Sequence, residues 1–136
     1  ILFYSKEILI FSYILILIGL IGNLKFKSLW IALLGFIGNF FVFATNKWKI
    51  PILLEGIPFT NSTNLKETIE AGNSALYIPI TKDVKYPALG DIIIFSEPYP
   101  ISRIISMGDL LIALSIFALI QEIMLEENLF MGRYSL

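Results

Sequence analysis

Two Gly-Asp pairs are the features of this sequence that are best suited to chemistry. Asp91 follows Gly90, and Asp109 follows Gly108, with Ser106 three residues before Asp109. The chain contains no histidine and no cysteine, so carboxylates are the strong acid-base groups that it can use. If Asp91 and Asp109 lie close together, they could bind a cation or handle a proton.

The same residues also suit a structural role. Ser106 or Asp109 could accept hydrogen bonds from the unsatisfied N–H groups at the start of a helix, where a negative charge favours the helix dipole. Asp91 could cap a turn after Gly90 or pair with Arg103. We favour capping, because Asp commonly occupies helix starts, and we retain the cation site as the alternative.

The residue types that are missing exclude several classes of site. Without cysteine or histidine there is no thiolate nucleophile, no disulfide and no imidazole base or metal ligand. No Gly-rich phosphate loop, serine-lysine motif or paired-acid spacing is present. We therefore predict a protein that is not an enzyme, with no catalytic, cofactor-binding or metal-binding residues and no cofactor. A net charge of −1 without a basic block also argues against nucleic-acid binding.

The composition indicates where these residues must be positioned. Hydrophobic residues make up 57% of the 136 residues, charged residues make up only 15%, and the mean hydropathy is +0.80. Three apolar stretches could each cross a hydrocarbon layer of roughly 30 Å as a helix. The sequence thus predicts one all-α membrane domain over 1–136, with transmembrane helices at 8–24, 29–45 and 109–124.

Between the second and third of these helices, residues 46–108 form an extramembrane segment of roughly sixty residues, which is too polar to enter lipid. Asn64, with Glu67 three residues later and Gly72 beyond, predicts a short helix over 65–71. Residues 75–80 and 91–95 are candidate short strands, and we expect them to pair with each other around Pro87.

Glycine and asparagine recur within the first two predicted spans. Gly22 and Asn23 lie near the end of the first, and Gly35, Gly38 and Asn39 lie within the second. Small residues let helices approach closely, and an amide can form a hydrogen bond across the contact. We interpret these five residues as helix-packing positions. The alternative is that the two amides line a polar path through the membrane.

Lysines in the shortest connection predict the orientation. Lys25 and Lys27 lie between the first two spans, and basic short loops remain on the cytoplasmic side. We therefore expect a multi-pass protein of the cell membrane, with 46–108 extracytoplasmic and the C-terminus cytoplasmic. Because the chain opens on Ile1 within an apolar stretch, we also expect further residues, and further spans, upstream of residue 1.

Three segments carry a resemblance to a known family: SLWIALLGFIGNFFVFATNKWKIPI from Ser28, YPALGDIIIF from Tyr86 and SMGDLLIALSIF from Ser106. They resemble the bacterial membrane family Domain of Unknown Function 5317. Its pattern has Gly and Asn within a span, an Asn-Gly-Gly-x-Met-Pro turn, a Leu-Gly-Asp, and a Ser-x-Gly-Asp that opens the last helix. The matching positions are Gly35, Asn39, Asn46, Pro51, Leu89-Gly90-Asp91 and Ser106-Met107-Gly108-Asp109.

The resemblance breaks at one point, where Lys47-Trp48-Lys49-Ile50 replaces the paired glycines of the family turn. If those glycines served a close backbone approach, this chain lacks that approach. The resemblance implies a membrane architecture with further spans upstream, but it implies no activity, because the function of the family is itself unknown.

Size and the lack of a catalytic motif decide the functional expectation. We predict an accessory or scaffold subunit of a larger membrane protein complex, whose partners are the lipid bilayer and other membrane protein subunits. The alternative is an ion-coupling or transport component that uses Asp91 and Asp109. The acidic group Glu122, Glu126 and Glu127 could dock a basic partner, although solvated charge at a helix end is the simpler interpretation.

Overall fold

Helices and a small sheet share the chain in a computed structural model that describes residues 5–60 and 63–132. The helices are α1 (Ser5–Gly22), α2 (Leu29–Thr45), α3 (Thr63–Glu70) and α4 (Met107–Gly132). The strands are β1 (Ile50–Ile52), β2 (Tyr77–Pro79), β3 (Asp91–Phe95) and β4 (Arg103–Ser106), with 3-10 turns at Leu54–Phe59 and Pro87–Leu89. Expectations about residues upstream of Ile1 and about the C-terminal tail fall outside the described residues.

The four strands form one mixed sheet in the order β2-β1-β3-β4. β1 is parallel to β2, with Ile50 opposite Tyr77, and also parallel to β3. β3 and β4 are antiparallel, and Asp91 lies opposite Ser106. Buried isoleucines from the sheet, the first 3-10 turn and α3 form the core of this α/β module: Ile52, Ile57, Ile69 and Ile104.

The prediction of an all-α protein with three spans is therefore wrong. A four-stranded sheet occupies much of the segment that was expected to be mostly loop. Within the described residues, one helix is long and apolar enough to cross a membrane, over Met107–Leu125, and α2 is a shorter apolar helix. Apolar residues indicated the helices and the two candidate strands at 75–80 and 91–95, but no pattern in the polar segment indicated β1 or β4.

The expected pairing of the two candidate strands is also wrong, because β1 lies between β2 and β3. Pro51 lies in the middle of β1, although proline has no N–H to donate to a neighbouring strand. The register explains why it is tolerated. Ile50 and Ile52 make the hydrogen bonds towards β2, so the nitrogen of Pro51 is directed to the β3 side. β3 pairs with β1 only from Ile52, so no residue of β3 pairs with Pro51. Gly90 permits this approach, because a methyl group there would lie 2.6 Å from the Pro51 carbonyl oxygen.

The long helices pack side by side, with α2 in close contact with α4 along its length. α1 packs on α2 through Tyr13, whose ring centroid is 4.8 Å from that of Phe36 and 5.4 Å from that of Phe40. β4 continues into α4 without a linker, so the sheet is joined directly to the longest helix.

Candidate functional site

A closed group of hydrogen bonds joins α2 to the start of α4. Ser106, which is 3% exposed, precedes the helix, and its Oγ accepts a hydrogen bond from the Asp109 N–H at 3.0 Å. The Asp109 carboxylate in turn accepts the Ser106 N–H through Oδ2 at 3.2 Å. This reciprocal arrangement is a capping box with Asp in place of the usual Glu.

Asn39 of α2 completes the group, which we call the polar ring. Its Nδ2 donates to Asp109 Oδ1 at 2.7 Å, and its Oδ1 accepts from the Ser106 hydroxyl at 2.7 Å. A charged acceptor makes the first of these bonds stronger than an amide-amide bond. The ring therefore fixes α2 against both the end of β4 and the first turn of α4.

Two glycines allow the backbones of α2 and α4 to touch beside the polar ring. A methyl group on Gly35 would lie 2.5 Å from the Gly108 carbonyl oxygen, and one on Gly108 would lie 2.6 Å from the Gly35 carbonyl oxygen. A Gly108 methyl group would also overlap the Asn39 amide. Gly35 is thus a packing position within the chain, rather than one that is free to meet a partner.

The other predicted packing residues lie elsewhere. Gly38 is half-buried, and Gly22 is exposed at the end of α1. A methyl group at either glycine would meet nothing within 4 Å. Asn23 donates from Nδ2 to the Gly19 carbonyl at 2.8 Å, so its amide closes the end of its own helix. The structure therefore does not bring Gly35 and Gly38 together on one contact surface.

At the opposite end of α2, Glu122 of α4 supplies a cap that the sequence did not indicate. Its carboxylate accepts the N–H groups of Lys27 and Ser28 at 2.9 and 3.0 Å, and the Ser28 hydroxyl at 2.7 Å. The Ser28 carbonyl accepts from the buried Ser115 hydroxyl at 2.7 Å. A negative charge at this position also interacts favourably with the positive end of the α2 dipole.

Asp91 approaches the polar ring through the sheet register, since it lies opposite Ser106. Its carboxyl group is half-buried, and burial together with the neighbouring charge of Asp109 raises the pKa of Asp91 to about 7. Arg103 lowers that pKa by a smaller amount, and among the described residues no cation lies within 4.0 Å of Asp91. The two carboxylates thus lie near each other, as the cation hypothesis requires, but the expected pairing of Asp91 with Arg103 is not formed.

A groove of about 450 Å³ runs beside the ring between α1, α2 and α4. Asn39 and Asp109 contribute to its wall, which is otherwise largely apolar. Within the described part of the chain, no group of three or more acidic side chains could hold a metal ion. The polar ring can therefore join elements and hold a charge, while Asp91 is the group nearby whose protonation changes close to neutral pH.

Comparison with known proteins gives one match. No curated protein and no solved structure matches the chain. A family model, described as a family of unknown function (DUF5317), matches residues 1–121. That match covers most of the 136 residues and confirms the resemblance carried by Gly35, Asn39 and the two Gly-Asp pairs. The chain therefore belongs to this family of unknown function, DUF5317.

Proposed function

We propose that this chain is a non-catalytic accessory or scaffold subunit of a larger membrane protein complex, anchored in the lipid bilayer by α4. The observation that carries the proposal is the exposed apolar surface of the three long helices. Only 11% of the Met107–Leu125 window is buried within the chain, whereas the core helix of a soluble protein is mostly buried. At 1.5 Å per residue, those 19 residues span about 28 Å, which is close to the thickness of the hydrocarbon layer.

Large apolar side chains face outward on every long helix. Examples are Ile14 and Ile18 on α1, Leu34 and Phe41 on α2, and Phe117 and Ile120 on α4. A soluble monomer rarely leaves a continuous apolar surface of this extent in water. Lipid chains and the helices of other subunits are the surroundings that suit such a surface, because they require no hydrogen bonds from it.

The internal hydrogen bonds support a structural role rather than a catalytic one. In the polar ring, the side chains of Asn39, Ser106 and Asp109 each make hydrogen bonds to the other two residues, and the Glu122 cap binds the start of α2. Side chains used in this way hold helices in place and leave little freedom for a reaction. The outward apolar faces then remain as surfaces for other subunits.

The charge pattern supports an orientation for α4. Lys25 and Lys27 lie in a short connection, at the same end of the helices as Glu122. The positive-inside tendency is counted over short loops rather than over a segment of roughly sixty residues such as 46–108, so it favours that end in the cytoplasm and the sheet outside. The absence of cysteine makes this testable. In intact cells, an impermeant maleimide should label Lys82→Cys in the sheet module but not Lys25→Cys, and the reverse result would contradict the orientation.

Assembly tests the proposed function directly. Gentle detergent extraction followed by native mass measurement should give a species larger than the 15.4 kDa monomer. Gly38→Leu should then reduce partner retention without unfolding the chain, because a Cβ atom there would point into open space, with nothing packed within 4 Å of it. A stable monomer from the native membrane would contradict the scaffold role.

A matched variant separates packing from hydrophobicity. Gly19→Leu on α1 adds the same apolar bulk at another position that is open within 4 Å. If the face of α2 that carries Gly38 is the contact surface, Gly38→Leu loses partners and Gly19→Leu keeps them. If both variants keep every partner at the wild-type level, the α2 face is not the contact surface.

A second candidate function is supported by the position of Asp91. The sheet register brings this half-buried carboxyl group towards Asp109, so a proton or cation could pass between protein and solvent there. An ion-coupling role predicts that Asp91→Asn abolishes proton or cation flux in proteoliposomes. Flux that survives Asp91→Asn combined with Asp109→Asn would remove this candidate.

A further inference from the structure

Three lysines line one open pocket of about 520 Å³ at the end of α2. Lys47 and Lys49 come from the turn that follows the helix, and Lys85 comes from the segment between β2 and β3. Asp83 is the one acid in the lining. We call this site the lysine pocket.

Asn46 holds the two halves of the lysine pocket together. Its buried amide donates from Nδ2 to the Val42 carbonyl at 2.8 Å and to the Lys85 carbonyl at 2.9 Å. The Lys85 N–H donates back to Asn46 Oδ1 at 2.9 Å. This two-way pairing fixes the backbone that carries Lys85 against the last turn of α2, so the pocket is built before any ligand arrives.

The turn itself has an unusual conformation. Lys47 and Trp48 both have left-handed backbones, with φ of 58° and 61°, although neither is glycine. Each such residue costs roughly 1–2 kcal/mol. The side chain of Lys49 is also held in place, since its Nζ donates a hydrogen bond to the Ser74 carbonyl at 2.9 Å. Two of the three lysines thus belong to a turn whose conformation is imposed by its surroundings.

The positive charge of the lysine pocket is not neutralised within the described part of the chain. No carboxylate there lies within 4.0 Å of the ammonium groups of Lys47, Lys49 or Lys85. With Asp83 in the lining, the formal charge of the pocket is still positive. Because the Lys49 ammonium already donates to the Ser74 carbonyl, Lys47 and Lys85 are the lysines that can donate to a ligand. An anion with several oxygen acceptors, such as a phosphate group, matches these ammonium donors.

Aromatic residues around the lysine pocket indicate where the pocket lies relative to the bilayer. The Tyr86 ring lies 4.9 Å from Phe41, and the Trp48 ring lies 5.6 Å from Phe43. Tyr86 is 53% exposed, and the neighbouring Phe41 is 44% exposed. Tyrosine and tryptophan favour the headgroup region of a bilayer, where lysines meet lipid phosphates.

We propose that the lysine pocket binds the phosphate of an anionic phospholipid headgroup at the surface of the membrane. The exposed Phe41 and Tyr86 rings provide an apolar surface for the start of the lipid chains. This inference rests on the proposed membrane placement, but not on the proposed partner subunits.

The experiment uses the full chain in a neutral detergent with short-chain lipids as probes. Phosphatidylglycerol should raise Tm and remain bound in native mass spectra, whereas phosphatidylcholine and inorganic phosphate should do neither. Lys47→Gln combined with Lys85→Gln should weaken phosphatidylglycerol binding by about 25-fold, at roughly fivefold for each lysine near an anionic lipid. Lys66→Gln is the matched control, because Lys66 lies on α3 and is paired with Glu70.

Each outcome decides the proposal. Equal binding of phosphatidylglycerol and phosphatidylcholine, or unchanged binding by the double variant, would overturn it. An equal Tm shift with inorganic phosphate would identify free phosphate as the ligand and overturn the lipid proposal. If the double variant has a lower Tm than the wild type without lipid, Lys47→Arg combined with Lys85→Arg is tested instead. That variant should bind phosphatidylglycerol, and a failure to bind would overturn the proposal. Partner retention by the double variant is read separately by native mass, which distinguishes failure here from failure of the scaffold role.

Discussion

The contact between α2 and α4 gives the sharpest test of the structure, through a pair of glycines three residues apart. Gly35 faces α4 of the same chain, whereas Gly38 faces open space. Gly35→Ala and Gly38→Ala add the same methyl group to the same helix. Any difference in stability between the two variants therefore reports the helix contact and not helix propensity.

The structure sets the size of the expected difference. In Gly35→Ala the new methyl group would lie 2.5 Å from the Gly108 carbonyl oxygen and 3.0 Å from Leu111 Cβ. Neither atom belongs to the flexible end of a side chain, so the helices must move apart, at a cost of about 1–3 kcal/mol. Separation also stretches the Asn39–Asp109 hydrogen bond of 2.7 Å, which contributes about 1 kcal/mol more.

Alanine gains about 1 kcal/mol over glycine in a helix interior, and this offsets part of the loss. We expect Gly35→Ala to be destabilised by about 2 kcal/mol, and Gly38→Ala to be unchanged or stabilised by up to about 1 kcal/mol. Unfolding in mixed micelles can be followed through Trp30 and Trp48, the two tryptophans of the chain. Equal stability of the two variants, or a greater loss in Gly38→Ala, would refute the packing described for α2 and α4.

Three further predictions concern the turn, the cap and the sheet. Lys47→Gly should raise the free energy of unfolding by about 1 kcal/mol by relieving its left-handed backbone, whereas Trp48→Gly should lower it by removing a ring packed on α2, as measured by denaturant titration. Glu122→Gln should lower Tm because the start of α2 loses a charged acceptor, and Glu7→Gln, on exposed α1, should leave Tm unchanged. Because the folded pKa of Asp91 lies above its ordinary value, its contribution to stability falls as pH rises from 4 to 7; Asp91→Asn should remove at least about 1.4 kcal/mol of that fall in pH-dependent unfolding curves.

The helices could be predicted from sequence to the extent that charges mark their ends. α2 has the bounds 29–45 that were expected for it, because lysines stand on both sides of an uninterrupted apolar run. α4 is longer than the predicted 109–124, since it begins at Met107 and continues to Gly132. Its extra turns follow an acid that is held by α2, and a one-dimensional hydropathy pattern does not contain that contact.

The sheet could be predicted only in fragments. β3 occupies the predicted range 91–95, and β2 lies within 75–80, but both pair with β1, which is far away in sequence. β1 has three residues, including Pro51, and shows no alternation that could be recognised. Its central place depends on parallel pairing with two distant segments, so it is decided by the tertiary fold and not by local preference.

The candidate site shows a similar division. The Ser106-to-Asp109 spacing indicated a helix cap from sequence alone, but the third member, Asn39, was interpreted as a contact with another helix of unspecified origin. At the turn after α2, the paired glycines of the family were interpreted as serving close approach. The positive φ values of Lys47 and Trp48 indicate instead that the position requires a left-handed backbone, which glycine adopts without strain.

The geometry of the polar ring also constrains any ion-coupling role. A cation bound at Asp109 would have to displace the Asn39 amide from Oδ1 or the Ser106 N–H from Oδ2, and both donors point at the oxygens that a cation needs. Displacement at Oδ2 would also open the capping box and release the start of α4. Asp91 has no such competitors among the hydrogen bonds of the described side chains, so a mobile ion would have to bind there first. Under this mechanism Asp91→Asn abolishes flux while the chain stays folded. Asp109→Asn instead lowers Tm and leaves flux through the folded protein unchanged. The opposite pattern would place the ion at Asp109 and contradict the capping role of that residue.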